Sequence, residues 1–157
     1  MKRLLGTFVL LVSLTSMNAE AADRGYSERS LGRFSINAAG QGNNPWVNTV
    51  NLQAGKKYSI RFVGGSVRLS PGNSPEHAPS GRTTAGHWDF TDQALEPTLP
   101  LGCLLMKVGR GTRLWSEGLE EVTADAPLAL AVNDSAGTFG DNSGSFSIEI
   151  FELVLIP

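Results

Sequence analysis

The chain has 157 residues, with 13 Lys and Arg against 15 Asp and Glu, so its formal net charge is −2. This length suits a single domain with one hydrophobic core, since domains usually contain about 100–200 residues. An apolar fraction of 41% excludes a disordered chain, and the slightly acidic balance lacks the basic surface that nucleic acid requires.

The first residues have the pattern of a secretory signal peptide. Met1 is followed by two basic residues, Leu4–Leu14 is almost wholly apolar, and small residues follow up to Ala22. The apolar run is too short to cross about 30 Å of hydrocarbon, and no Cys follows it for lipid attachment. We expect a leader over residues 1–21 and export to the periplasm or the medium, without a membrane span.

The only cysteine, Cys103, excludes an internal disulfide and a zinc site that needs several Cys. In an exported protein it would have no partner in an oxidising compartment. We therefore expect a buried, inert thiol.

Short runs that alternate apolar and polar residues fill the rest of the chain. This period of two, interrupted by clusters of Gly, Asn, Pro and Ser, is typical of strands with one buried face. No segment after the leader has the periodicity of an amphipathic helix. The pattern predicts an all-β chain, with a polar arm over 22–33 and an antiparallel two-sheet sandwich over 34–157. The predicted strand cores are Phe34–Ile36, Val47–Leu52, Tyr58–Val63, Leu104–Val108, Leu128–Val132 and Phe146–Ile150.

One long segment, residues 66–100, departs from this alternation. It contains several Pro and Gly and both His. A loop of this length in a compact domain is usually functional or disordered, so we expect it to cross one end of the sandwich. Trp88 and Phe90 are candidates for packing it down. Of the three Trp, Trp88 is the one expected to be exposed, and a flat ring suits the C–H face of a sugar.

The segment from Val132 to Phe146 carries the chemistry. It places Asp134, Asp141 and Asn142 on a loop with three Gly, between two predicted strands. Ca²⁺ takes about 6–8 oxygen ligands from carboxylates, amides and backbone carbonyls, and a glycine-rich loop could gather them. The alternative is a hairpin loop whose Asp and Asn side chains only cap their own backbone.

Two other readings of this segment fail. The alternate ligand positions and the terminal Glu of an EF-hand are missing. Ser143 has glycine neighbours but lacks the G-x-S-x-G pattern of a nucleophile elbow, and no His–nucleophile signature or carboxylate pair stands elsewhere. We therefore expect a protein without catalytic activity.

The run from Val132 to Ile148, VNDSAGTFGDNSGSFSI, resembles the calcium and sugar loop of the PA-IL-like family of galactose-binding bacterial lectins, where it reads N-D-x-x-G-T-Y-G-N-N-S-G-S-F-S-V. Two other stretches agree. Residues 100–109 are similar to the family's core strand, and residues 50–56 to its first hairpin. The resemblance covers about residues 34–150 and implies a small jelly-roll-like β-sandwich with one Ca²⁺ at its end.

The resemblance also implies which residues hold the ion and the sugar. By position, the calcium ligands are Asp134, the Thr138 carbonyl, Asp141, Asn142 and a carbonyl of an earlier loop at Leu69. The sugar contacts are Asp134, Ser135, Thr138, Asp141, His87 and Gln93. Two hydroxyls of the sugar complete the shell of the ion in the family.

This chain departs from the family pattern at three places. The aromatic residue of the earlier loop, which contacts the sugar in the family, is matched by Leu69 here. Asp141 replaces the first Asn of the family loop, and its charge predicts that calcium affinity is retained or raised. The family's H-P-D-Q segment is matched only at its end by Asp92-Gln93, with Phe90 where the His would be. His87 or His77 could substitute if the loop shifts.

These features predict an exported, calcium-dependent carbohydrate-binding protein that recognises galactosides through a Ca²⁺-bound diol. A shallow site of this kind gains from homo-oligomerisation, which raises avidity. The alternative is a structural or protein-interaction sandwich of the envelope, in which Ca²⁺ only rigidifies the loop.

Overall fold

The computed structural model describes residues 25–40, 44–72, 74–109, 111–114, 118–121 and 125–157. The predicted leader and Trp115 lie outside these residues. Within them, no helix is long and apolar enough to cross a membrane.

The described residues form eight strands and one short 3-10 turn. The strands are β1 (Tyr26–Asn37), β2 (Val47–Leu52), β3 (Lys57–Arg68), β4 (Leu104–Val108), β5 (Gly111–Leu114), β6 (Gly118–Glu121), β7 (Ala126–Val132) and β8 (Ser143–Leu155), and the 3-10 turn is Phe139–Asp141. The predicted all-β class is confirmed.

The strands make two antiparallel sheets of four strands each, in the orders β1-β8-β3-β6 and β2-β7-β4-β5. The alternating apolar residues of both sheets meet in one core, which includes Ile60 and Ile148 from the first sheet and Met106 and Leu130 from the second. The fold is therefore a β-sandwich, as predicted, because each sheet buries one face against the other.

The first sheet includes residues that the sequence assigned to a polar arm. β1 begins at Tyr26 and pairs with β8 from Tyr26↔Leu155 to Asn37↔Ser145, with a register shift between Ser30 and Gly32. Backbone pairing at a sheet edge does not require alternating apolar side chains, so composition does not reveal it.

The buried thiol of Cys103 is as predicted. The side chain is 0% exposed and unpaired. Burial raises the pKa of Cys103 to about 12, because the thiolate would lose its hydration. The residue is a small buried side chain whose thiol stays protonated at neutral pH.

The long loop, residues 69–103 between β3 and β4, is held by buried polar residues and not by its aromatic side chains. Trp88 is 51% exposed, as predicted, and Phe90 is 58% exposed, so neither packs the loop down. His77 is buried instead; its backbone pairs with Val67, and its ring lies against Gly102.

Candidate functional site

The predicted calcium segment lies at one end of the sandwich, where β7 ends and β8 begins. Residues 133–142, called the site loop below, connect these strands through the 3-10 turn. β3 ends at the same place, since Arg68 pairs with Ser143. Leu69, the first residue after β3, therefore leaves the sheet beside Asn142. Backbone from β1, β3 and the site loop thus converges at this end.

Asp134 is the buried carboxylate of the site loop, with 5% exposure. Its Oδ1 accepts the N–H of Ser135 at 2.7 Å. Its Oδ2 lies 3.1 Å from the Thr138 hydroxyl and 2.9 Å from Nδ2 of Asn142. The loop closes on this carboxylate, because residues four and eight positions later both turn back to it.

Asn142 is also buried, with 8% exposure. Its Nδ2 donates to Asp134 and, at 3.2 Å, to the carbonyl of Ala38 just after β1. Its Oδ1 is buried without a hydrogen-bond partner. An unpaired buried carbonyl oxygen costs about 1–3 kcal/mol, which marks this atom as one that a ligand would satisfy.

Neither buried residue has a positive partner. Among the residues with described side chains, no Lys, Arg or His forms an ion pair with Asp134. A carboxylate removed from water is costly unless a cation balances it. In the described part of the chain, no three His, Cys, Asp or Glu side chains lie close enough together to hold a metal ion by themselves. A cation here would therefore need amide and backbone oxygens as well as carboxylates.

Thr138 and Asp141 complete the turn of the site loop. The Thr138 carbonyl accepts the N–H of Asp141 at 3.4 Å, and both side chains are exposed. The structure thus brings Asp134, Thr138 and Asn142 into contact, with Asp141 on the solvent side of the same turn. The carboxylate and the amide converge; they do not point apart.

The predicted sugar contacts divide into two groups. Ser135 and Gln93 lie at the site loop, because Ala136 donates its N–H to the Gln93 carbonyl at 3.1 Å and Ala94 pairs with Ser135. His87 is exposed and lies in a turn with Thr83, and no hydrogen bond joins it to the site loop. Because His77 is buried, its ring is not available on the surface as a substitute.

Asn133 is a functional residue that sequence reasoning missed. Its side chain is 0% exposed; its Oδ1 accepts the N–H of Glu96, and its Nδ2 lies 3.0–3.1 Å from the carbonyls of Glu96, Leu99 and Pro100. The side-chain amide of Asn133 thereby fastens the long loop to the start of the site loop. In the sequence, the one indication of this role is that Asn133 stands between a buried strand and an Asp. That position is also typical of an ordinary turn.

The fold and this site define a β-sandwich with an oxygen-rich loop at one end. A family model described as PA-IL-like protein matches residues 47–153, which is more than half of the chain. The chain belongs to the PA-IL-like family, and the resemblance seen in the sequence is confirmed.

A solved structure has the same fold. It is the EclA N-terminal domain, a PllA-like lectin, with 24% sequence identity and a TM-score of 0.56. The alignment covers 78% of this chain and 97% of that one. None of the curated proteins compared with the chain matches it.

Proposed function

We propose that this protein is a non-catalytic, calcium-dependent carbohydrate-binding protein and that its site loop recognises galactose-type sugars. The observation that carries the proposal is the buried pair of Asp134 and Asn142, which has one carboxylate, one unpaired oxygen and, among the described residues, no positive partner. Membership in the PA-IL-like family and the likeness in fold to a lectin domain support it.

The residues present fit a calcium ion. Hard oxygen atoms are what Ca²⁺ prefers, and the loop supplies the carboxylate of Asp134, the unpaired Oδ1 of Asn142 and the carbonyl of Thr138. Asp141 would add a second negative charge from the solvent side, and the Leu69 carbonyl would contribute from the end of β3. The ion would supply the positive charge that Asp134 lacks and open coordination positions for two sugar hydroxyls.

The protein's own residues would orient the sugar. Asp134 and Asp141 can accept hydrogen bonds from the hydroxyls of a diol. The exposed side chains of Thr138 and Gln93 border the same end of the sandwich, with Ser135 half-buried between them. A polar rim of this kind suits the binding of hydroxyl groups.

The test is glycan binding with and without calcium. We expect the purified protein to bind galactosides on a glycan array in the presence of Ca²⁺ and to lose binding in a chelator. Asp134→Asn should also lose it. Asp125→Asn is the matched control, because Asp125 is exposed and only accepts the N–H of Ala54 at 2.8 Å.

Two results would contradict the proposal. Binding that survives chelation would remove the role of the ion. Calcium-induced thermal stabilisation, with no further gain from any galactoside, would favour the alternative of an ion that only rigidifies the loop.

The predicted leader adds a proposal about location. Residues 1–21 would direct export and be removed, so the protein would act in the periplasm or outside the cell. The N-terminal sequence of the protein recovered from those compartments tests this.

A further inference from the structure

A tight turn in the long loop places an arginine on a tryptophan. The N–H of Thr83 donates to the His87 carbonyl at 2.9 Å, and that of Gly86 donates to the Thr83 carbonyl at 2.8 Å. This turn sets Arg82 and Trp88, which flank it, against each other. The guanidinium carbon of Arg82 lies 5.4 Å from the centre of the Trp88 ring, a distance at which the two attract.

Arg82 differs from the other arginines whose side chains are described. Each of those forms an ion pair with a Glu; they are Arg29, Arg33, Arg61 and Arg68. Within the residues that the structure describes, Arg82 forms none, and Asp89 and Asp92 in the same loop do not pair with it. An exposed guanidinium held against an aromatic face, without a carboxylate, is preorganised for an anion.

A cleft of about 520 Å³ opens on one side of Arg82, between the loop and the edge of β3. Its lining includes Ser66, Glu76, Ser80 and Thr84. The charge of Glu76 is already balanced, since Arg68 lies at 2.8 Å and the Ser66 hydroxyl at 3.0 Å. Arg82 therefore places a guanidinium at this cleft that is not paired with Glu76, beside hydroxyl groups suited to a sugar.

The backbone that follows Trp88 runs towards the site loop. The N–H of Leu101 donates to the backbone carbonyl of Asp89 at 2.7 Å, and the N–H of Gly102 donates to the backbone carbonyl of Asn133 at 2.8 Å. Asp89 is thus about two backbone spacings, on the order of 10 Å, from the residue before Asp134. The segment that starts at exposed Trp88 reaches the site loop at Gln93.

We infer that Arg82 and Trp88 form a second subsite, for an anionic sugar residue linked to the sugar at the site loop. The inference rests on the proposed function. The ring of Trp88 would stack on the apolar face of the second residue, and Arg82 would donate hydrogen bonds to its carboxylate or sulfate. Stacking uses the face of the guanidinium and leaves its N–H edge free to donate.

The experiment compares three probes by calorimetry, with calcium present: lactose, lactose sialylated at the 6-hydroxyl of its galactose, and lactose sulfated at the same hydroxyl, which leaves the ring diols free for the ion. We expect at least one anionic form to bind about fivefold more tightly than lactose at low salt, the gain of an exposed ion pair. The advantage should shrink at high salt because of screening. Comparison of the sialylated and the sulfated probe shows whether the subsite prefers a carboxylate or a sulfate.

The variants assign the effect to the pair. Arg82→Gln and Trp88→Ala should each lose the anionic advantage and keep the affinity for lactose. Arg33→Gln is the matched control, since it removes an exposed arginine on β1 and should keep the advantage.

Binding of lactose without any anionic preference overturns the subsite and leaves the proposed function intact. A preference that survives Arg82→Gln also overturns it. Failure of all three probes to bind overturns the proposed function and the subsite with it.

Discussion

Two buried carboxylates, at opposite ends of the sandwich, are stabilised in different ways. Glu152, near the far end of β8, is 7% exposed and forms ion pairs with Arg29 and with Lys56, whose Nζ lies 2.9 Å from it. Asp134 is 5% exposed, and its hydrogen-bond donors among the described side chains and backbone are all neutral. The chain supplies the cations where the charge is structural, and it leaves the charge open where a ligand is expected.

The largest effect should come from removing the unbalanced charge. Asp134→Asn should weaken calcium binding about a hundredfold, which is about 2.7 kcal/mol, because it deletes the one buried carboxylate of the loop. Calorimetric calcium titration measures this. Glu152→Gln is the control and should leave calcium affinity unchanged. Equal losses of calcium affinity in both variants would show that Asp134 has no special role in binding the ion.

A second carboxylate beside Asp134 should make the free protein less stable. Asn142→Asp deletes the donor at 2.9 Å from Asp134 and puts a like charge in its place. We expect the free energy of unfolding to fall by about 2 kcal/mol without calcium and to recover when calcium is added. Urea unfolding with and without the ion tests this, with Asn48→Asp on β2 as the control. A variant as stable as the wild type in chelator would show that the two groups do not share a site.

At the other end, the pH dependence should follow Glu152. The hydrogen bond from Lys56 lowers the pKa of Glu152, opposed by burial and helped by Arg29. A lowered pKa in the folded state means that this stabilisation is full above the unfolded value of about 4.3 and is lost as the pH falls through the lower folded value.

Glu152→Gln should therefore cost about 1 kcal/mol at pH 7 and progressively less below pH about 4. Urea unfolding over this pH range gives the difference between the two proteins. A difference that stayed constant down to the lowest pH would show that the ion pairs do not carry it.

The smallest effect should come from Asp141. Because its side chain is exposed, water screens its charge, and Asp141→Asn should weaken calcium binding by only about threefold. Titration at low ionic strength gives the clearest comparison. Tighter binding by the variant would contradict the idea that this charge raises calcium affinity.

Much of the fold could be predicted from the sequence because buried strands show their alternation. The predicted run Leu104–Val108 coincides with β4, and Leu128–Val132 lies within β7; both are inner strands of their sheet. The first half of β1 was assigned to an arm, and β5 and β6 were not predicted at all. These three belong to edge strands, where backbone hydrogen bonds hold the pairing and the side chains need not alternate.

The sequence alone determined the residue types of the site loop and their order, because a run of oxygen-bearing side chains among glycines can be recognised without knowledge of the fold. Only the tertiary structure decided which of them are buried together. It brought Asn142 against Asp134, pinned the long loop through Asn133 and turned Arg82 onto Trp88. These contacts join residues that the chain pattern leaves independent, because burial and hydrogen bonding between loops depend on how the two sheets end at the same edge.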